Sequence, residues 1–348
     1  MSDATGPAGN QSPTSDQSKA PAPDSKLAKT EKLWIQVEHD KPEGLKAAAF
    51  IKEVERKGSA GLVQEYEKLK QEEPISSCQA FKDAANAHKN RYLDVMCYDH
   101  TRVVLKDGTG GDYIHANYVD GYKQSRAYIC TQGPVKKSII DFWRMIWQEQ
   151  TVLIIMTTRC TERDTEKCEQ YWPSTPRKFI RYGHFLVGCR RKKMKEQYEI
   201  TELKIRHLER NEIRTVNHVL YLGWPDYGVP RRPHKLIQFM VEMRQIHQFL
   251  VKTHCPYWKS NSQGPPMVVH CSAGIGRSGT YVALDICTRR LDEMKSVDVE
   301  GTIRKIRNQR MHSVQTPDQY IFIHLAIIEY AWTNGLTDLD SVDLSTFM

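Results

Sequence analysis

No two of the nine cysteines in this chain form a C-x-x-C pair, and none stands at a metal-like spacing from histidine. That absence gives no sign of a cysteine- and histidine-ligated metal site. The odd count argues against a complete disulfide framework and for free thiols in a reducing compartment. Long hydrophobic runs are also missing. The longest strongly apolar stretch, Val152 to Met156, falls far short of the roughly 20 residues that span a bilayer. The N-terminus has no apolar segment of the secretory kind, and Ser2 stands where N-myristoylation needs glycine. Basic residues are not interleaved with aromatics, so a nucleic-acid partner is not expected. The densest cluster, Arg190 to Lys195, reads as a solvated hairpin tip. No internal repeat is visible. A cytoplasmic protein without a transmembrane segment is expected.

What is present sets wider bounds. The 348 residues are 40% apolar, enough for one large domain or two small ones. A formal net charge of +8 suits acidic ligands, whether nucleic acid, anionic membrane or phosphorylated protein. Residues 1–30 are rich in Ser, Pro, Ala, Asp, Thr and Gly, which predicts a flexible tail. From Gly44 to Lys70 apolar residues recur at helical spacing. Alternating stretches at Glu199 to Leu208 and Ile213 to Leu222 predict antiparallel strands. Leu236, Phe239, Met240, Met243, Ile246 and Leu250 mark the inner face of a helix, with His247 and His254 expected on its surface. Thr316, Pro317 and Gln319 read as N-cap, N1 and N3 of a capping box. The helix that follows is expected to bury Ile321, Leu325 and Ile328 and to stop at Asn334-Gly335.

The stretch Pro266 to Thr280 concentrates the chemistry. Met267 to Val269 reads as a short buried strand, and a helix begins near Arg277. Between them lie Cys271, Ser272, Ala273, Gly274, Ile275 and Gly276. A loop so short and glycine-containing can turn its backbone N–H groups inward as an anion nest. The helix N-terminus adds unpaired N–H groups and a favourable dipole. Such a cradle suits a phosphoryl group and lowers the pKa of a thiol placed inside it. Arg277 can grip two phosphate oxygens with its planar fork. An ordinary buried cysteine in a strand–loop–helix connection is the competing reading, and the accompanying His270, glycines and Ser278-Gly279 count against it.

At these residues, His270-Cys-Ser-Ala-Gly-Ile-Gly-Arg-Ser-Gly279 resembles the signature loop of the tyrosine-specific protein phosphatases. The likeness extends in order from roughly Gly61 to Ala331. It implies an α/β fold with a large twisted mixed β-sheet flanked by helices. It also implies a single catalytic domain over 44–335 with an N-terminal helical extension, a tail over 336–348, and a monomer. Asp112 to Asn117 resembles the family's Asp-Tyr-Ile-Asn-Ala-Ser segment, with His115 and Asn117 as departures.

The resemblance implies a role for each matching position. Tyr92 would stack on a phosphotyrosine ring and Asp94 would accept hydrogen bonds from substrate amides. Leu93 stands where a basic residue is often found. Glu162 would orient Arg277. In Gly223-Trp-Pro-Asp-Tyr-Gly-Val-Pro230, Trp224 would anchor a mobile loop, Asp226 would be the general acid, and Tyr227 would shield the substrate. Gln315 would place water, and Ser278 would stabilise a departing thiolate. The implied reaction is hydrolysis of phosphotyrosine in proteins through a cysteinyl-phosphate on Cys271. A phosphotyrosine-binding module without turnover and a broader phosphatase are the alternatives. At the pocket rim, His312 is expected to narrow the entrance and limit any use of Arg307 for a second phosphate.

Overall fold

Apolar residues on alternate positions sort onto the two faces of one sheet. The computed structural model describes residues 44–72, 76–261, 263–337 and 347. Along the chain these form β1 (Leu45–Lys46), α1 (Ala47–Gln71), β2 (Arg102–Val104), β3 (Tyr113–Gly121), β4 (Gln124–Thr131), α2 (Ile139–Gln148) and β5 (Leu153–Met156). A small hairpin, β6 (Thr161–Glu162) and β7 (Thr165–Glu166), precedes β8 (Phe179–Tyr182), β9 (Phe185–Met194), β10 (Tyr198–His207) and β11 (Glu212–Tyr221). Then come α3 (His234–His254), β12 (Met267–His270), α4 (Gly276–Met294), β13 (Ser296–Val297), α5 (Val299–Gln309) and α6 (Pro317–Thr333).

Nine strands join in the order β2-β3-β4-β12-β5-β11-β10-β9-β8. The four central strands, β4, β12, β5 and β11, run parallel, and the outer pairings are antiparallel. In β5, Leu153 and Ile155 enter one core while Ile154 and Met156 enter the other. β12 divides in the same way, with Met267 and Val269 opposite Val268. Parallel strands covered on both faces read as unbroken apolar runs, as these do. Residues of α1, α3, α4 and α6 cover the first face, and α2 covers the second with Phe142, Trp143, Met145 and Ile146. Burying each such side chain contributes about 1.5–3 kcal/mol. The expected α/β class with a large mixed sheet and flanking helices is what forms.

Several local expectations are corrected. His247 is buried on α3 and hydrogen-bonds Pro265 O at 3.0 Å, because the loop before β12 closes over it. On α6, Phe322, Ile323 and Ile327 are more deeply buried than Ile321 and Leu325, since this helix is packed nearly all round. The cap Thr316 accepts from Gln319 N at 3.3 Å, but Gln319 Oε1 accepts from Gln315 N at 2.8 Å rather than from the cap residue. Arg190 to Met194 lie on β9 itself, where Glu202 pairs Arg190 and Arg191 and Glu199 pairs Lys192. The long first helix is interrupted at Gly58, with φ 58°. The tail expected over residues 1–30 lies outside the described residues, as does nearly all of that over 336–348. Leu336 and Phe347 are described and pack against the core.

Candidate active site

β12 ends at His270, and the chain turns at once into the loop that opens α4. Cys271 lies in that turn, 5% exposed, with Gly274 N donating to its Sγ at 3.2 Å. Gly274 has φ 72°, and a Cβ there would stand 2.0 Å from Thr131 O, so only glycine fits. The N-terminus of α4 has no capping side chain, which leaves its first N–H groups to the loop.

A buried arginine holds this loop from behind. Arg310 is 0% exposed and donates to Gly274 O at 3.2 Å and Ala273 O at 2.8 Å. With both carbonyls turned toward Arg310, the amide face of the loop is left for the pocket. The other guanidinium nitrogen donates to His115 Nδ1 at 3.1 Å and Asn117 Oδ1 at 2.8 Å. His115 in turn donates from Nε2 to Val95 O at 2.7 Å. Burial, and then the Arg310 charge, push the His115 pKa down to about 3, so its ring is neutral and able to accept. The two departures from the family segment therefore meet on one arginine. Nothing contiguous in the sequence announces this contact.

His270 does not line the pocket. Its Nδ1 donates to Cys271 O at 3.1 Å, and its Nε2 accepts from Tyr171 OH at 2.7 Å. Tyr171 OH accepts from His218 Nε2 at 2.9 Å. Burial pushes the His270 pKa down to about 4, consistent with this neutral tautomer. Ile275 and Gly274 shape the loop without lining the pocket, and Ile275 O accepts from Val314 N at 3.0 Å. Ser278 Oγ is buried without a hydrogen-bond partner.

Arg277 is gripped by Glu162, its two end nitrogens reaching the two carboxylate oxygens at 2.7 and 2.9 Å. Burial raises the Glu162 pKa, but the Arg277 bonds and charge outweigh it and hold the carboxyl below its usual value. Arg277 also donates to Thr157 O at 3.1 Å and to Pro225 O at 3.2 Å. The second bond ties the arginine to the loop that carries Asp226. Trp224, 2% exposed, fixes the same loop by donating from Nε1 to Gly228 O at 3.1 Å.

The opposite wall comes from the loop before β2. Tyr92 OH donates to Ser272 Oγ at 2.8 Å, and Ser272 Oγ donates to Lys167 O at 2.9 Å. Arg91 secures this wall by donating to Gly133 O at 3.0 Å and Pro134 O at 2.9 Å. Sequence reasoning assigned nothing to Arg91 or Arg310.

These elements enclose a pocket of about 420 Å³. Cys271, Ser272, Ala273, Gly276, Arg277, Tyr92, Asp94, Glu162, Asp226, Tyr227 and Gln315 line it, joined by Lys167 and Gln319. His312 is not among the lining residues. Arg307 is 3% exposed and donates to Ser313 O and Val314 O, each at 3.0 Å, so burial rather than His312 removes it from the rim.

Comparison with known proteins agrees with this geometry. The family model described as protein-tyrosine phosphatase matches residues 86–329. The chain belongs to the protein-tyrosine phosphatase family. It is 39% identical over 306 residues to tyrosine-protein phosphatase non-receptor type 9 of Homo sapiens, covering 87% of this chain and 52% of that protein. It is 41% identical over 249 residues to receptor-type tyrosine-protein phosphatase C of Homo sapiens, covering 70% and 18%. Identity to tyrosine-protein phosphatase Lar of Drosophila melanogaster is 38% over 266 residues, covering 76% and 12%. The chain thus spans about half the length of the non-receptor relative and less of the others. Among the described residues no helix of this phosphatase-family chain is long and apolar enough to cross a membrane.

Proposed function

We propose that this chain hydrolyses phosphotyrosine in proteins through a cysteinyl-phosphate intermediate on Cys271. The observation that carries the reading is one pocket lined by Cys271, Arg277, Asp226 and Gln315 together. In the first step Cys271, as thiolate, attacks phosphorus while the loop amides and the Arg277 fork hold the phosphoryl oxygens. Asp226 gives its proton to the tyrosine oxygen, because a phenolate is a poor leaving group; a positioned acid supplies roughly 10²–10⁴-fold. In the second step Asp226 accepts a proton from a water placed by Gln315, and that water displaces the sulfur. The partnerless buried Ser278 hydroxyl supports a role in receiving charge as the thiolate departs. His270 acts through the Cys271 carbonyl as a positioning residue.

Tyr92 and Tyr227 flank the mouth, and Asp94 stands beside them to accept substrate amides. Two aromatic walls favour a flat aryl phosphate over the shorter phosphoserine. The domain is taken as 44–335, working as a monomer without metal, cofactor or nucleic acid. All nine cysteines are unpaired, which supports a cytoplasmic setting. Cys271→Ser tests the reading: turnover should vanish while phosphotyrosine-peptide binding persists, and residual hydrolysis by the pure variant would remove Cys271 as nucleophile.

A further inference from the structure

The family match begins at residue 86, yet α1, which precedes it, reaches the segment that carries Gln315. The helix breaks at Gly58, and Lys57 pairs Glu65 across the bend. Glu65 also accepts from Tyr320 OH at 2.5 Å, next to Gln319 at the start of α6. The following residue, Tyr66, is 1% exposed, and its hydroxyl donates to Val314 O at 3.2 Å. Arg307, on α5, lies over the Tyr66 ring, 5.2 Å from its centroid, while donating to the same Val314 O at 3.0 Å.

Val314 O and Gln315 N belong to one peptide unit. Its oxygen is held by Tyr66 and Arg307, and its N–H donates to Gln319 Oε1 at 2.8 Å. A planar unit gripped on both edges has one orientation, and from it the Gln315 side chain leaves for the pocket that it lines. The backbone here needs such a grip. His312 and Val314 have φ of 56° and 61°, a region that a β-branched residue enters only where its surroundings hold it. Val314 N donates to Ile275 O at 3.0 Å, so the same residue is also pinned to the signature loop.

We propose that Tyr66 is a positioning residue for the second step, acting through the Val314–Gln315 peptide on the water that Gln315 places. The inference rests on the reaction proposed above. In that step the water oxygen bonds to phosphorus, and the S–P bond breaks with its electron pair going to Cys271 Sγ. The proton of the water goes to Asp226. Formation of the cysteinyl-phosphate is carried by Cys271, Arg277 and Asp226, and only its breakdown needs Gln315. Loss of the Tyr66 hydroxyl therefore slows breakdown and spares formation. The N-terminal helical extension, on this account, serves hydrolysis of the intermediate and not only the stability of the domain.

Tyr66→Phe in the full chain keeps the ring and removes the hydroxyl. In rapid acid quench with a phosphotyrosine peptide, decay of the Cys271 adduct should slow about threefold or more, while release of the tyrosine peptide keeps its rate. At steady state kcat and KM should fall together, with kcat/KM unchanged. Gln315→Ala and the double variant should share one decay rate, because Tyr66 acts only through Gln315. Tyr330→Phe removes a hydroxyl bonded to Asp292 at the other end of α6, and it should change neither step. Three results each overturn the proposal: adduct decay unchanged in Tyr66→Phe, further slowing in the double variant, or equal slowing in Tyr330→Phe. If the unaltered chain formed no adduct on Cys271, the proposed function would fail, and amide hydrogen exchange at Gln315 would decide the positioning. Exchange there should quicken in Tyr66→Phe and not in Tyr330→Phe, and an unchanged rate would remove Tyr66 from the account.

Discussion

The guanidinium of Arg163 lies over the ring of Tyr227, 3.6 Å from its centroid, with Nε 3.6 Å from Asp226 Oδ2. Arg163 and Asp164 form the turn of the β6–β7 hairpin, both with positive φ, 47° and 59°. The preceding residue, Glu162, grips Arg277, which itself reaches Pro225 O. One hairpin therefore holds the Asp226 loop at two points, one buried and one exposed.

The exposed point is the weaker. An exposed cation–π contact contributes about 0.5–1 kcal/mol, and an exposed ion pair about 0–1 kcal/mol. Arg163→Gln should therefore lower kcat up to about tenfold and leave KM for a small aryl phosphate nearly constant. Steady-state kinetics measure this, and an unchanged kcat contradicts the positioning role.

The buried point is stronger. The Glu162 side chain is 3% exposed, and breaking one side of a buried pair costs about 3–5 kcal/mol. Glu162→Ala should lower thermal stability clearly and reduce kcat/KM by more than Arg163→Gln does. Glu162→Gln, which keeps the shape, should recover part of the stability. Calorimetry and kinetics on the three variants decide the ranking.

Gly274→Ala should dismantle the cradle, because its Cβ would stand 2.0 Å from Thr131 O at a φ of 72°. We expect loss of both turnover and phosphate-analogue binding. Retention of either would mean that the backbone here has room the structure does not display.

The cradle was legible because its parts are contiguous: a strand, two glycines, Cys271 and Arg277 fall within one short stretch. The central strands were legible for the same reason, as unbroken apolar runs bounded by turns. Contacts between distant segments were not. Arg310 meets His115 and Asn117 across nearly two hundred residues, and their polar side chains gave no periodicity to follow. His247 lay on a plausible polar face of α3 until the loop before β12 covered it. Gln319 satisfied the capping-box spacing, yet its oxygen serves Gln315, because a spacing does not fix which of two adjacent N–H groups a side chain selects.

Buried neutral histidines predict acid lability. Burial is the main cause for each: it depresses His115 to about 3 and His247, His270 and His324 to about 4, with His218 also well below its usual value. The unfolded chain takes up these protons near pH 6.5 and the folded one does not, so the stabilisation is complete above that pH. As the pH falls toward 4 it is lost at up to about 1.4 kcal/mol per unit for each histidine. The melting temperature should drop steeply between pH 6.5 and 4.5. A flat profile over that range would show that these rings are not held neutral.

The central claim is that Cys271 carries the phosphoryl group between the two steps. A Gln315→Ala chain, mixed with a phosphotyrosine peptide and quenched in acid within milliseconds, should hold one phosphoryl group on the peptide containing Cys271. That adduct should form as tyrosine is released and decay more slowly than in the unaltered chain. Release of tyrosine and phosphate together, with no adduct on Cys271 at any time, would contradict the account.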